Sequence, residues 1–290
     1  MADRFTWTGA DGTVINLSDT DAGYLVAPDG TTGLRSPAYS VIATEYAGID
    51  GQTLQSIKAA DRNPTLGVEI NADTEAEFRA KARGLVRAMR PKAGAGTLTV
   101  ANETGERRSL TCYCIGGLEG DASLSSELPG RWWRAVVKLY APDPWWLGDE
   151  KTVSIGLGAP TPFFPFFPLV LSSSTVQGQY TVDLSDSDTP AFPVWTITGP
   201  GSSLVLTNNT TGRSLTVGAS LASGEQMVID TRPAYQSVRR GDGTNLLGSV
   251  DGYPDLWPLV EDVNDITAAL NGASSNSRIY GSWQPRYSGI

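Results

Sequence analysis

The 290-residue chain has no histidine, only two cysteines and only three methionines. Without histidine the commonest general base is missing, and with it the Ser-His-Asp arrangement. Two thiols without imidazoles fall short of the roughly four ligands of a structural metal site. Cys112 and Cys114, in "LTCYCIG", alternate onto one face of a strand and read as small buried apolar side chains. Charge is sparse as well, at 18% of residues, with a formal net charge of −9. Acid exceeds base in both halves, 20 to 15 over residues 1–150 and 11 to 7 over residues 151–290. Neither half is basic, which disfavours nucleic-acid binding by phosphate neutralisation. No run of about 18 apolar residues exists to span a bilayer as a helix. The opening "MADRFTWTGADG" lacks the apolar core of a signal peptide, so the expectation is a chain made and kept in a cytoplasm. P-loop, GxGxxG and HExxH patterns are absent.

What is present is turn chemistry: 32 glycines and 18 prolines among 40% hydrophobic residues. That composition fits short strands joined by tight turns. The length suits two domains, and the composition shifts near residue 150. Domains are therefore expected over 1–150 and 151–290. In the first, "AYSVIATEYAG" (Ala38–Gly48) alternates with period two, and "PTLGVEI" places Leu66, Val68 and Ile70 on one face. "TLTVANETGERRSLTCYCIG" reads as a hairpin turning at Asn102–Gly105. "RWWRAVVKLYAPDPWW" puts Trp133, Ala135, Val137 and Leu139 on one side.

One stretch breaks the strand pattern. In "DTEAEFRAKARGLVRAMRPK", Thr74 and Glu77 have capping-box spacing. Phe78, Ala82, Leu85 and Met89 recur at helical spacing, and Pro91 and Gly94 end the run. This predicts a helix over about 74–90. Arg79, Arg83, Arg87 and Arg90 lie off the stripe; a solvated face is preferred over an anion site.

Beyond residue 150, short strands recur at regular spacing between turns such as "TNNTTGRS" and "RRGDGTNLL", the pattern of a β-sandwich or jelly roll. "GDGTN" (Gly241–Asn245) lacks the later glutamate of a calcium loop and reads as a plain turn. "DLWPLVEDVNDITAALNG" has some helical spacing, which Pro258 argues against. Carboxylates suited to glycoside hydrolysis abound (Glu45, Asp50, Glu69, Asp143, Glu225, Asp230, Asp255, Glu261), but nothing in the sequence pairs two of them.

Aromatics are concentrated. "APTPFFPFFPLV" (Ala159–Val170) holds four of the seven phenylalanines between prolines. It reads either as a stiff extended strap laying Phe163, Phe164, Phe166 and Phe167 between domains or subunits, or as a connector buried in the second domain's core. The doublets Trp132–Trp133 and Trp145–Trp146 point to core plus interface, because adjacent residues on a strand face opposite ways. Trp132, Trp145 and Trp146 join the four phenylalanines as candidate interdomain or subunit-interface residues. A lectin-like module is the rival reading, with Trp195, Trp257 and Trp283 as stacking candidates.

The layout resembles the siphovirus tail component family, the distal tail (Dit) proteins of long-tailed phages. The resemblance is carried by the strand–helix–strand unit Pro64–Val100 with the "NETGERRSL" hairpin, by "RWWRAVVKLYAPDPWW" closing the first domain, by "FPVWTITGPGSSLVLTNNTTGRSLTV…SGEQMVIDTRP", and by the closing "SRIYGSWQPRY". It implies a mainly β chain: an N-terminal split β-barrel or sandwich with one α-helix, tail-tube-like, then a C-terminal galectin-like β-sandwich. It implies a structural, non-enzymatic role without cofactors, in a homo-hexameric ring at the virion's tail tip. The ring would contact the tail tube protein, the tape-measure protein and the tail-tip hub, and leave a channel through which DNA passes. No long insertion marks an added carbohydrate-binding module.

Overall fold

Thr74 starts the helix of this protein by accepting a hydrogen bond from the Glu77 amide at 3.2 Å, while Glu77 reaches back to the Asp73 amide. The resulting helix α1 (Glu75–Ala88) buries Leu85 and turns Met89 into the core, with Phe78 and Ala82 packed at its margin. A 3₁₀ turn at Pro91–Ala93 follows, since proline cannot continue the ladder. The arginines off the stripe are exposed, and Arg79 pairs with Glu75 one turn earlier. The computed structural model describes residues 3–120, 131–156, 162–164, 167–170 and 175–290. By contacts the chain divides into two units, Met1–Asp149 with Tyr287–Ile290, and Glu150–Arg286.

In chain order the first unit has strands β1 (Arg4–Thr8), β2 (Val14–Asn16), β3 (Tyr24–Thr32), β4 (Tyr39–Glu45), β5 (Gln52–Ala59), β6 (Thr65–Asn71), β7 (Gly96–Ala101), β8 (Arg107–Gly116), β9 (Trp132–Tyr140) and β10 (Trp146–Leu147). The main sheet runs β2-β1-β7-β8-β9-β6-β3, with β10 added beside β8. Alternation sets its core face: Leu66, Val68 and Ile70 of β6 meet Ala135, Val137 and Leu139 of β9 inside. Cys112 and Cys114 sit on the same buried face of β8. The Asn102 side chain closes the β7–β8 hairpin by accepting from the amides of Thr104 and Glu106.

Two glycines are required by packing. A Cβ on Gly96 would lie 2.2 Å from the Trp7 ring, and Trp7 must occupy that place for its indole to donate to the Ala88 carbonyl at the helix end. A Cβ on Gly67 would lie 2.2 Å from the Asp29 carbonyl, because β3 bulges over it between Ala27 and Thr32.

Arg62 is the first unit's buried cation. Its guanidinium donates to the carbonyls of Pro144, Gly33, Arg35 and Ser288 and lies over Trp146. Burial pulls its pKa below the usual arginine range. The closing residues are held further by Arg108, stacked 4.0 Å over the Tyr287 ring, and by the Ile290 amide donating to Leu34.

The second unit contains β11 (Lys151–Gly156), β12 (Pro162–Phe164), β13 (Phe167–Val170), β14 (Thr175–Leu184), β15 (Val194–Thr198), β16 (Ser203–Asn208), β17 (Arg213–Val217), β18 (Gln226–Asp230), β19 (Ser237–Arg240), β20 (Asp262–Asn271) and β21 (Arg278–Trp283). One sheet runs β11-β21-β15-β18-β19 and the other β14-β20-β16-β17. Both contribute to one apolar core, so the unit is a β-sandwich. Residues 262–271, with their ambiguous helical spacing, form the ten-residue strand β20, which pairs with β14 and β16. Its buried Asn264 obscures the alternation. The Asn264 carbonyl accepts from Asn208 and from the Val260 amide, and its amide donates to Val260.

Candidate functional site

Strands β4 and β5 stand apart from the main sheet as a two-stranded antiparallel ribbon. Alternation puts Tyr39, Val41 and Ala43 of β4 on one face, opposite Ala59, Ile57 and Leu54 of β5. The other face carries Ser40, Ile42 and Thr44 opposite Lys58, Ser56 and Thr53. A bulge makes this possible. Ile42 pairs with Ser56 and Ala43 with Leu54, so Gln55 is an extra residue. Without it, strict alternation from Ile57 would bring Gln55 and Thr53 to the apolar face and turn Leu54 away.

This face, apolar up to the Glu45–Gln52 pair at its far end, is bare. Val41 is 63% exposed, Ile57 57%, Leu54 56% and Tyr39 54%. None of the four joins the first unit's core. At the tip Ile49 is 69% and Tyr46 53% exposed. The polar side chains bond within the ribbon, Gln55 to Thr44 at 2.8 Å and Gln52 to Glu45. An isolated hairpin is marginal in water. Covering each large apolar side chain stabilises by about 1.5–3 kcal/mol. Both outer edges of the ribbon also carry unpaired ladder groups. The arrangement is a two-stranded arm with exposed apolar side chains.

A second apolar surface lies along α1. Phe78, Ala82 and Val86 face Leu118 and Trp133 across an open groove of about 530 Å³, with Arg83 on the helix wall and Glu119 on the other. Arg83 is exposed and has no ion pair among the described residues. Glu119 is engaged with the Gly117 amide at 2.7 Å, and backbone amides hold its pKa below the usual carboxylate range.

The residues singled out from sequence fare unevenly. Trp146 is fully buried in the first unit's core, its indole donating to the Leu34 carbonyl, so it has no surface for a neighbour. Trp132 and Trp145 are half-buried. Phe166 lies outside the described residues. Phe163, Phe164 and Phe167 lie on β12 and β13, where the backbone alone is described. There Pro162 pairs with Val170 and Phe164 with Phe167. The run folds back as a hairpin, which corrects the picture of one extended strap. The apolar ribbon face was missed as a site, because the bulge at Gln55 hides β5 from a search for alternation.

The rival's rings are unavailable: Trp195, Trp257 and Trp283 are all buried, and Trp195 packs edge-on against Trp257 at 6.3 Å. Several of the candidate carboxylates are occupied in ion pairs, Glu225 with Arg240, Asp230 with Arg232 and Asp255 with Arg213. Hydrogen bonds hold the carboxyl groups of Asp11, Glu77, Glu119, Asp183, Glu225 and Asp242 below their usual pKa. Asp242 caps its own turn through the Thr244 amide, as a plain hairpin does. Among the described residues no group of three or more His, Cys, Asp or Glu is placed to hold a metal.

Residues 186–287 match the family model described as siphovirus-type tail component, C-terminal domain. Over the whole chain the fold is similar to the crystal structure of phage SPP1 Dit (gp 19.1), described as a paradigm of the hub adsorption apparatus in phages infecting Gram-positive hosts. That match has 15% identity and a TM-score of 0.65, covering 99% of this chain and 100% of that one. A chain of the phage p2 baseplate in its activated conformation is similar at 9% identity and a TM-score of 0.55, with full coverage of both. No curated protein matches in sequence. Residues 186–287 are thus similar to the siphovirus-type tail component C-terminal domain, and the chain as a whole has a fold similar to that of Dit.

Proposed function

We propose that this protein is a structural, non-enzymatic component of a phage tail tip, a distal tail protein whose copies close into a ring of six around a channel for DNA. In this reading the first unit, residues 1–150, is the tail-tube-like ring former, and the galectin-like sandwich, residues 151–290, is its second domain. The ring joins the tail tube protein and the tape-measure protein to the tail-tip hub in the virion. The β4–β5 ribbon carries the reading: an apolar face that size, left bare, calls for a subunit to cover it. The net charge of −9 suits a channel that must release phosphates.

The test is the mass of the purified protein by native mass spectrometry, with negative-stain imaging. The expected species has six times the chain mass and a central hole. Replacing Val41 and Ile57 together by aspartate should shift it to monomer with the fold retained. A wild type that stays monomeric when mixed with its tail tube and hub neighbours overturns the ring.

A further inference from the structure

We propose that the tip of the β4–β5 ribbon of one copy docks in the α1 groove of the next copy, with Ile49 and Tyr46 entering the apolar trough and Asp50 meeting Arg83. This rests on the ring reading and names the acceptor surface that reading leaves open. Three observations carry it.

The first is chemical match. The tip "TEYAGIDGQ" presents two large exposed apolar side chains beside the exposed carboxylate of Asp50. The groove presents an apolar floor beside the exposed guanidinium of Arg83. The second is access. The groove of about 530 Å³ is broad and open to solvent along α1, so the loop of a neighbouring copy can reach its apolar floor.

The third is topology. The ribbon leaves the main sheet after β3 and returns to it before β6, at the end where Thr32 pairs with Thr65. Trp133 of the groove pairs with Ile70, five residues further along β6. At the strand rise that is about 17 Å away. Arm and groove are thus rooted at opposite ends of one strand. The bare ribbon face means that the arm does not lie back on its own unit. A donor at one end and an acceptor at the other make a head-to-tail contact, the kind that generates a ring when its rotation closes.

The test mixes two single variants of the full chain, Ile49→Cys and Val86→Cys, under mild oxidation. The native thiols are buried and stay out of the reaction. A disulfide-linked dimer that forms only in the mixture is the expected result, because neither variant alone holds both partners. A charge exchange gives the second readout. Arg83→Glu or Asp50→Arg alone should weaken assembly by up to about fivefold, as for a surface ion pair, and the double variant should restore it. Circular dichroism checks that each variant folds.

Oligomers that form normally without the cross-link, and without rescue by the exchange, overturn the docking while leaving the ring in place. Monomers throughout, even when mixed with the tail tube and hub neighbours, overturn the ring and the docking together. A Val86→Cys thiol that resists alkylation in the monomer, while Ile49→Cys reacts freely, means that the groove is already covered within one copy and overturns the docking.

Discussion

Replacing Arg62 by methionine tests how the closing residues are tied to the first unit. Arg62, 3% exposed, donates through its guanidinium to four backbone carbonyls and has no ion pair with a carboxylate among the described residues. Methionine keeps the apolar stem and removes every donor. Each hydrogen bond from a charged donor contributes about 1.5–3 kcal/mol, and each buried acceptor left unmatched costs about 1–3 kcal/mol. Against this stands the desolvation cost that the buried cation already carries, which methionine relieves. The net expected loss is about 3–5 kcal/mol, as when one side of a buried charged contact is removed. Hydrogen exchange read by mass spectrometry is the assay. Peptides around Gly33–Arg35 and Tyr287–Ile290 should exchange from about a hundredfold to a few thousandfold faster. Peptides of residues 175–286 should be unchanged. Arg62→Lys keeps the charge but not the fork, so it should recover only part of the protection. A folded Arg62→Met variant with less than about tenfold faster exchange refutes the reasoning, since that corresponds to under about 1.4 kcal/mol.

Gly96→Ala drives a methyl into the Trp7 ring and should destabilise the first unit by about 1–3 kcal/mol in thermal unfolding, with Trp7 fluorescence shifted. Asn264→Leu leaves the Asn208 amide and the Val260 backbone groups without their partner, and should cost the sandwich about 2–4 kcal/mol in a urea titration. Burial pushes the Cys112 thiol up to about 12 from its usual 9.0, so iodoacetamide at pH 8 should label it only after unfolding. A thiol pKa raised by folding contributes stability below pH 9 that is lost as pH rises toward about 12, and Cys112→Ser should flatten that alkaline slope. The opposite sign holds for Glu225, whose pKa the Ala222 amide and Arg240 lower. Its contribution is lost as pH falls through the acid range, and Glu225→Gln should blunt the fall of the melting temperature between pH 5 and 3.

Much of the scaffold was legible along the chain because its signals are local. Thr74 and Glu77 marked a helix start, Phe78 to Met89 marked its buried stripe, and Asn102–Gly105 marked a turn, each within one helical turn or one hairpin. Alternation in β6 and β9 announced which side of each strand is inside. By contrast, β20 was obscured by one buried asparagine, whose partner Asn208 lies 56 residues away. The lack of histidine and of clustered ligands, and the acid excess in both halves, narrowed the function before any fold was known.

Tertiary structure alone decided which aromatic and apolar residues remain available. Adjacent tryptophans look alike in sequence, yet Trp146 is sealed in the core while Trp145 keeps part of its surface. Tyr39, Val41, Leu54 and Ile57 have the residue types of a core, and only the pairing of β4 with β5, with its single bulge at Gln55, gathers them on one bare face. The same holds for Arg62, whose four acceptors come from three distant stretches of chain. Periodicity says which residues share a side of an element. Whether anything covers that side depends on contacts between residues far apart in the chain, which no local pattern encodes.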